Sequence, residues 1–362
     1  MKPIRLLFTI LCVMAAISAT AQTPRALPRR PSIILIVANG LGAGDLSCYG
    51  QTQFQTPSLD KLASEGVRFT HYAAGSADSS AARTALMLGK NPGATGGDVT
   101  IAQLLRDSGY LTAYVGEWDL GDQNSTSAPW REGFDDFDGY FTAADAENPY
   151  ADFIWRYAPD PQGGSKPHFN GREGVYANSD GKHVQYIPDW FGTLAMNFTK
   201  NHVPAQQNGY QPFFLVINWP VPGNGNRVVP TDAPYSEEGW PQAEKNRAAI
   251  ISRLDDNIGK LMEHLDKYHL STNTVIFFTS DTAPRKIGGT DPKFFSENVA
   301  PDSLRVPLIV RWPTRVPAGQ VSDAECSAND FLPTAAAIGF VQPQGKVEGN
   351  SLMPVLLGQP AK

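Results

Sequence analysis

The stretch Ser32–Asp45, S-I-I-L-I-V-A-N-G-L-G-A-G-D, decides the fold class of this chain. Its five consecutive apolar residues, Ile33 to Val37, predict a strand buried on both faces, as in a parallel sheet covered by helices. The glycines from Gly40 to Gly44 then let the backbone turn tightly. Because ligands of open α/β sheets bind beyond the carboxyl ends of the strands, this turn is the first candidate site. The alternative is an ordinary glycine-rich turn.

Further apolar runs alternate with helical periodicity along the chain. The predicted strands are residues 111–115, 213–218, 275–279 and 304–310, and the predicted helices include residues 57–66, 101–108 and 246–265. Strands that alternate with helices in this way are typical of an α/β fold with a largely parallel sheet flanked on both faces.

Residues 124–211 differ from the rest of the chain. They are rich in Gly, Pro and aromatic residues and show little periodicity. We therefore expect a loop-rich insertion region with one helix, residues 190–200. Insertions of this kind usually shape the entrance to a substrate site.

Composition places the chain among globular proteins. It has 362 residues, of which 41% are hydrophobic and 10% aromatic, enough for one large domain or two smaller ones. Its formal net charge of −6 argues against a general nucleic-acid binder, which needs a basic face. Cys48 and Cys326 are the two cysteines beyond the N-terminal segment, and nothing in their spacing requires a disulfide.

Residues 1–21 have the organisation of a secretory signal peptide. Basic residues precede the apolar run 6–16, and A-T-A at residues 19–21 supplies a cleavage site, so we expect cleavage after Ala21. The run is too short for a comfortable membrane span, and residues 22–30 form a Pro/Arg linker. These features predict a secreted or periplasmic protein whose mature chain has no membrane span.

Seven stretches together resemble the sulfatase family of the alkaline-phosphatase-like superfamily. In chain order they are P-S-I-I-L-I-V-A-N-G-L-G-A-G-D-L, T-P-S-L-D-K-L-A-S-E-G-V-R-F-T, L-L-R-D-S-G-Y, G-F-D-D-F-D-G-Y, R-L-D-D-N-I-G-K-L, V-I-F-F-T-S-D and L-R-V-P-L-I-V-R-W-P. The resemblance implies an alkaline-phosphatase-like α/β/α sandwich over residues 31–358. Family chains usually continue past the part similar to residues 347–358 into a smaller antiparallel sheet, so we expect that C-terminal subdomain to be missing here.

The resemblance also implies a chemistry. Sulfatases attack sulfur with an aldehyde hydrate made from the Cys or Ser of C/S-x-P/A-x-R. A divalent cation, usually calcium, holds that residue and the sulfate oxygens, while Lys and His side chains stabilise the anion. Ser79 falls on the nucleophile position and Arg83 on the arginine position, in the serine-type pattern S-x-A-x-R. The alternative is that Ser79 only caps a helix N-terminus.

The metal positions of the family are altered here. Its first strand ends in two aspartates, at whose positions this chain has Asn39 and Gly40. Its pattern S-D-N-G reads S-D-T-A, which leaves the carboxylate of Asp281 with Asn39 and Thr282 as neutral donors. Calcium takes roughly six to eight oxygens and binds weakly when carboxylates are few, so we expect no cofactor and a degraded calcium site. Alternatively, Asp281 is a turn or capping residue.

The anion-binding positions have reversed charge. The family loop G-K-W-H-L-G is here G-E-W-D-L-G, so Glu117 and Asp119 replace the lysine and histidine of the pocket. The family's A-P-H pattern reads Val221-Pro222-Gly223, and Lys286 and Lys293 are both candidates for its late lysine. A unit charge about 4 Å from a sulfate contributes on the order of 4 kcal/mol at an effective dielectric near 20. The two acids should therefore repel sulfate esters unless they are neutral or paired.

Three hypotheses fit these residues. In the first, the chain is an exported sulfatase-family protein with impaired or lost catalysis. Its ancestral substrate was a sulfated carbohydrate or an aryl sulfate, and it now binds a small ligand or has no hydrolytic role. In the second, a hydrolase has rebuilt its site around Ser79, Glu117, Asp119 and Asp281 with another metal and substrate. In the third, the chain is a non-catalytic structural or interaction protein that uses the insertion region. We favour the first, with the acids either repelling one another or paired with Arg83 or a lysine. The sequence leaves the oligomeric state open.

Overall fold

The computed structural model describes residues 29–91, 99–160, 167–201, 211–220, 228–284, 294 and 304–359. The predicted signal peptide and most of the predicted linker lie outside these described residues. The same is true of Val221-Pro222-Gly223, Lys286 and Lys293.

Twelve strands form within the described residues. They are β1 (Ser32–Ala38), β2 (Val67–Phe69), β3 (Tyr72–Ala73), β4 (Leu111–Glu117), β5 (Asp136–Tyr140), β6 (Phe153–Ala158), β7 (Phe169–Gly174), β8 (Phe213–Trp219), β9 (Thr274–Ser280), β10 (Leu308–Arg311), β11 (Gln320–Ser322) and β12 (Cys326–Ser327). The α-helices of the same ranges are α1 (Pro57–Ser64), α2 (Ser79–Leu88), α3 (Ile101–Asp107), α4 (Ala143–Ala146), α5 (Ile187–Asn201), α6 (Gln242–Lys267), α7 (Phe331–Ile338) and α8 (Met353–Leu356).

Ten of these strands make one mixed sheet, in the order β11-β2-β10-β9-β1-β8-β4-β5-β6-β7. Its centre, from β9 to β5, is parallel throughout. In contrast, β10 runs antiparallel to β9, and β6 runs antiparallel to β5 and to β7. The register places Val37 beside both Asn218 and Thr279, so β1, β8 and β9 end at the same edge of the sheet.

β1 contributes side chains to both hydrophobic cores. Its odd-numbered side chains, such as Ile33 and Leu35, belong to the core that also contains residues of α2, α3 and α7. Its even-numbered side chains, such as Ile34 and Ile36, belong to the core with residues of α1, α5 and α6. Every residue of β1 is buried, because alternate side chains of a strand point to opposite faces and both faces are covered. The expected α/β/α sandwich is confirmed.

The insertion region contains more regular structure than expected. Residues 124–211 include β5, β6 and β7 as well as α4 and α5, so the prediction of long loops with one helix was wrong. β7 is at least partly exposed at every position, and it therefore lacks the apolar alternation by which a strand is usually recognised. The predicted helix at residues 190–200 is α5, which begins at Ile187.

The strand predicted at residues 304–310 is shorter than expected. It is β10, which begins at Leu308. Pro307 precedes it and has no amide hydrogen to donate to a neighbouring strand. Its antiparallel direction could not be read from the apolar run alone.

Two further features concern the chain as a whole. Within the described ranges, the helices include none with the length and apolar character needed to cross a membrane. Cys48 and Cys326 are both free thiols, so no disulfide joins them. Burial raises the pKa of each thiol to about 12, which keeps both protonated.

Candidate active site: one arginine among three carboxylates

The candidate site lies where the central strands end. Asn39 follows β1, Glu117 is the last residue of β4, and Asp281 follows β9. Arg83 reaches this edge from helix α2 and contacts both acids. The fold therefore brings together residues that are far apart in sequence, at the sheet edge where α/β proteins bind ligands.

Arg83 is the centre of the site. Its Nη1 lies 3.0 Å from Glu117 Oε1, and its Nη2 lies 3.0 Å from Asp119 Oδ2. Its Nε lies 4.0 Å from Asp281 Oδ2. The side chains of Arg83, Glu117 and Asp281 are 3%, 4% and 0% exposed, whereas that of Asp119 is 31% exposed. Of the two arrangements expected for the acids, the structure shows the ion-paired one.

Further hydrogen bonds hold Glu117 in this position. Asn39 Nδ2 donates to Glu117 Oε2 at 2.7 Å. The backbone carbonyl of Glu117 accepts from Asn218 Nδ2 and from the Tyr114 hydroxyl, each at 2.6 Å. Asn218 and Tyr114 were missed from the sequence because both lie within buried strand runs. The one signal for Asn218 was a polar residue near the end of an apolar stretch.

Burial and charge shift the titration of this cluster. Burial raises the pKa of Glu117, against the opposing effect of Arg83. Burial also raises the pKa of Asp281, again opposed by Arg83 and by the Gly40 amide. Burial alone would lower the pKa of Arg83, but Asp281 and Glu117 outweigh it and raise that pKa. The guanidinium therefore stays charged, whereas burial disfavours the charged forms of the two acids.

Ser79 is the first residue of α2. Asp78, rather than Ser79, caps this helix, since its Oδ1 accepts from the Ala81 amide at 3.0 Å. The alternative in which Ser79 is the cap is therefore wrong. Ser79 Oγ lies 3.5 Å from Thr282 Oγ1. Its hydroxyl also lies near enough to Asp281 to lower the pKa of that acid.

The groups around Asp281 differ from those that the resemblance implies for a calcium site. Gly40 presents its amide to Asp281 Oδ1 at 3.2 Å, at a position where the resemblance implies a carboxylate. Three buried oxygens, those of Asn39 Oδ1, Asn218 Oδ1 and Asp281 Oδ2, accept no hydrogen bond from the described residues. Calcium takes roughly six to eight oxygens. Within the described ranges, no three Asp, Glu, His or Cys side chains are grouped so as to hold a metal.

A mostly parallel central sheet with helices packed on both faces gives this chain the alkaline-phosphatase-like fold. The Sulfatase family model matches residues 31–339 of this chain. The chain belongs to the sulfatase family.

The similarity to individual sulfatases extends along most of the chain. The N-acetylgalactosamine-6-sulfatase of Canis lupus familiaris is 27% identical, over 96% of this chain and 70% of its own length. The N-acetylgalactosamine-6-O-sulfatase of Bacteroides thetaiotaomicron is 28% identical, over 86% of this chain and 73% of its own length. The crystal structure of Ps i-CgsB in complex with k-i-k-neocarrahexaose superposes with a TM-score of 0.72 at 26% identity, covering 91% of this chain and 77% of that one.

Proposed function

We propose that this chain is an exported sulfatase-family protein that does not hydrolyse sulfate esters. One observation carries the proposal: Arg83 forms ion pairs with Glu117 and Asp119, each at 3.0 Å. Asp281 adds a third carboxylate 4.0 Å from the same guanidinium. With all four groups ionised, one positive and three negative charges give the cluster a net charge of −2.

Such a cluster disfavours a sulfate ester for two reasons. Arg83 offsets the charge of one of its three carboxylate neighbours, and each further carboxylate about 4 Å from a sulfate opposes binding by on the order of 4 kcal/mol at an effective dielectric near 20. A sulfate that takes the Arg83 guanidinium must also displace Glu117 or Asp119. Leaving one member of a buried ion pair without its partner costs about 3–5 kcal/mol. Both effects act against the substrate of the ancestral reaction.

The resemblance assigns catalytic roles to positions that this chain has changed. Glu117 and Asp119 stand where the family has lysine and histidine, and Asn39 and Gly40 stand where it has two metal-binding aspartates. A sulfatase nucleophile needs a cation to hold it and to polarise the ester. The replacement of two aspartates by Asn39 and Gly40 supports the loss of that cation.

The ligand and the compartment belong to the same proposal. Two relatives are named for N-acetylgalactosamine sulfatase activity, and a similar structure holds a neocarrahexaose. We therefore infer that the lineage acted on a sulfated carbohydrate, and that the present protein binds a small ligand without cleaving it. The signal-like residues 1–21 support export to the periplasm or beyond.

A hydrolase rebuilt around Ser79 is the second candidate. The observation in its favour is Asp281, a buried acid that burial makes more basic and that lies beside the Ser79 hydroxyl. A carboxylate so placed is a candidate general base. However, Asp281 Oδ1 already accepts from the Gly40 amide and the Thr282 hydroxyl. These fixed contacts favour a structural role for Asp281.

Titration with inorganic sulfate tests the proposal. Isothermal titration calorimetry should detect no binding of millimolar sulfate to the wild type near neutral pH. The double variant Glu117→Gln/Asp119→Asn removes two of the three negative charges beside Arg83 and should bind sulfate. The matched control Glu147→Gln/Asp152→Asn removes the same charge from two exposed acids and should behave as wild type. Sulfate binding by the wild type, or equal behaviour of the two double variants, would contradict the proposal.

A further inference from the structure

A cavity lies between α5 and the sheet. Its volume is about 510 Å³, and its lining residues come from α5 and from β4, β5, β6 and β7. Cavities that hold small molecules commonly measure roughly 300–1,000 Å³. Parallel pairing sets Asp136 beside Ala113 and Tyr140 beside Glu117. Asp136 and the cavity therefore lie toward the amino ends of the strands, away from the Arg83 cluster.

Acidic side chains outnumber basic side chains among the residues that line the cavity. Asp136 and Asp138 are two residues apart on β5 and so share one face of the sheet. Glu173 on β7, Arg156 on β6 and Lys200 on α5 also line it, with Lys200 exposed. Arg156 Nη1 pairs with Glu173 Oε2 at 2.8 Å, and its Nε lies 3.5 Å from Asp138 Oδ1. The floor of the cavity thus carries three acids and one arginine.

Asp138 has a carboxylate oxygen that lacks a hydrogen-bond donor within the described part of the chain. Its Oδ1 is buried and accepts no hydrogen bond from any described residue. Its side chain is 19% exposed and faces a cavity that is open to a ligand. A buried carboxylate oxygen without a donor is costly, and an incoming donor recovers that cost.

We propose that this cavity binds a small polar molecule that carries a protonated amine. An ammonium group supplies the hydrogen-bond donors that Asp138 Oδ1 lacks, and it adds a positive charge where Asp136, Asp138 and Glu173 outnumber Arg156. Trp190 offers an aromatic face on which a cation or the body of the molecule can lie. Asn197 and Asn201, both exposed, line the cavity and suit hydroxyl groups on the same molecule.

The charged groups around the two aspartates set the pH dependence of binding. Burial raises the pKa of Asp136 to about 6, with Asp135 adding to the rise and Arg156 opposing it. Burial raises the pKa of Asp138 to about 7, opposed by Arg156 and reinforced by Asp136 and Glu173. Protons and the ammonium group compete for the same carboxylates. Affinity should therefore be higher near pH 8 than near pH 5.

Calorimetric titration with glucamine and sorbitol tests the inference. Glucamine is a six-carbon polyol whose amine stays protonated near pH 8, and sorbitol has a hydroxyl in place of that amine. Glucamine should bind near pH 8 and bind about tenfold more weakly near pH 5, where the aspartates are protonated. Sorbitol should give no measurable binding. Equal binding of the two polyols, or no glucamine binding near pH 8, would overturn the inference.

Variants locate the binding in this cavity. Asp138→Asn should weaken glucamine binding roughly tenfold or more, because a charge-assisted hydrogen bond is lost. Asp136→Asn, on the same face of β5, gives a second test whose outcome does not depend on the folding of the first variant. Glu263→Gln removes an exposed acid of α6 and should bind as wild type. If both aspartate variants bind as tightly as Glu263→Gln, the inference is wrong.

Discussion

Arg83 Nη1 lies 3.0 Å from Glu117 Oε1, with only 3% and 4% of the two side chains exposed. The family resemblance implies a lysine at the position of Glu117. A position that would attract the sulfate in a working sulfatase therefore holds a carboxylate bound by the protein's own arginine. This pairing explains how a buried glutamate is tolerated there, since an unpaired buried charge would be strongly destabilising.

Removing the arginine should destabilise the fold. Arg83→Met keeps much of the side-chain volume but leaves Glu117 and Asp281 buried without a cation. We expect a loss of about 3–5 kcal/mol in the free energy of unfolding near neutral pH, measured by urea denaturation. The loss should shrink near pH 5. Both acids have raised pKa values, so they protonate readily as the pH falls and their uncompensated charge disappears.

A second substitution provides the check on this mechanism. Adding Glu117→Gln to Arg83→Met removes one unpaired charge and should recover part of the lost stability. Arg315→Met, at an exposed arginine that contacts the Trp312 ring, is the matched control and should change stability by no more than about 1 kcal/mol. A deficit that is the same at both pH values, with no recovery in the double variant, would rule out the ion-pair role.

Ser79 should remain an unmodified serine. We expect this result even when the protein is produced together with a serine-type maturation enzyme. Peptide mass spectrometry distinguishes the two states, because the aldehyde is roughly two mass units lighter than serine. Ser80, in the same peptide, serves as the internal reference. Detection of the aldehyde at Ser79 would favour the rebuilt hydrolase.

The purified protein should carry no stoichiometric calcium. Asn39 and Gly40 supply no carboxylate, and the Gly40 amide points at Asp281. Added millimolar calcium should leave the melting temperature nearly unchanged, because a ligand stabilises a protein only well above its dissociation constant. Elemental analysis after dialysis and a thermal scan measure the two outcomes. One calcium per chain would contradict this expectation.

Asp138 should make the stability of the protein pH-dependent. Its pKa rises from 3.8 to about 7 on folding, so its favourable contribution is complete below about pH 4 and is lost as the pH rises through 7. Asp138→Asn removes that loss. A pKa raised from 3.8 to about 7 corresponds to roughly 4 kcal/mol. The variant should therefore be more stable than wild type by up to about 4 kcal/mol near pH 8, with the difference falling below about 1 kcal/mol near pH 4. Urea denaturation with Glu263→Gln as control measures it, and a pH-independent difference would contradict it.

The central strands could be predicted because a strand that is buried on both faces consists almost entirely of apolar residues. β1 is apolar except for Ser32 and β8 is apolar except for Asn218, and both strands are buried at every position. β5 and β7 have no such composition, since acidic and glycine residues occupy many of their positions and much of β7 is exposed. The direction of β10 depends on its neighbours and not on its own residues.

The candidate site could be predicted in part. The resemblance named Ser79, Arg83, Glu117, Asp119 and Asp281, and the structure brings Arg83 into contact with all three acids. Which partner each acid takes depends on packing across the sheet edge, so the sequence left repulsion and pairing as alternatives. Tyr114 and Asn218, which hold the Glu117 carbonyl, looked like ordinary strand residues.

The most direct test of the account is the hydrolysis of an aryl sulfate such as 4-nitrophenyl sulfate. The assay compares wild type with Ser79→Ala, both produced with a serine-type maturation enzyme and measured with and without calcium. Because the Arg83 guanidinium is engaged by Glu117 and Asp119, we predict that both proteins give only the rate of buffer alone. Turnover by the wild type that Ser79→Ala abolishes would contradict the account and show that the protein is a working sulfatase.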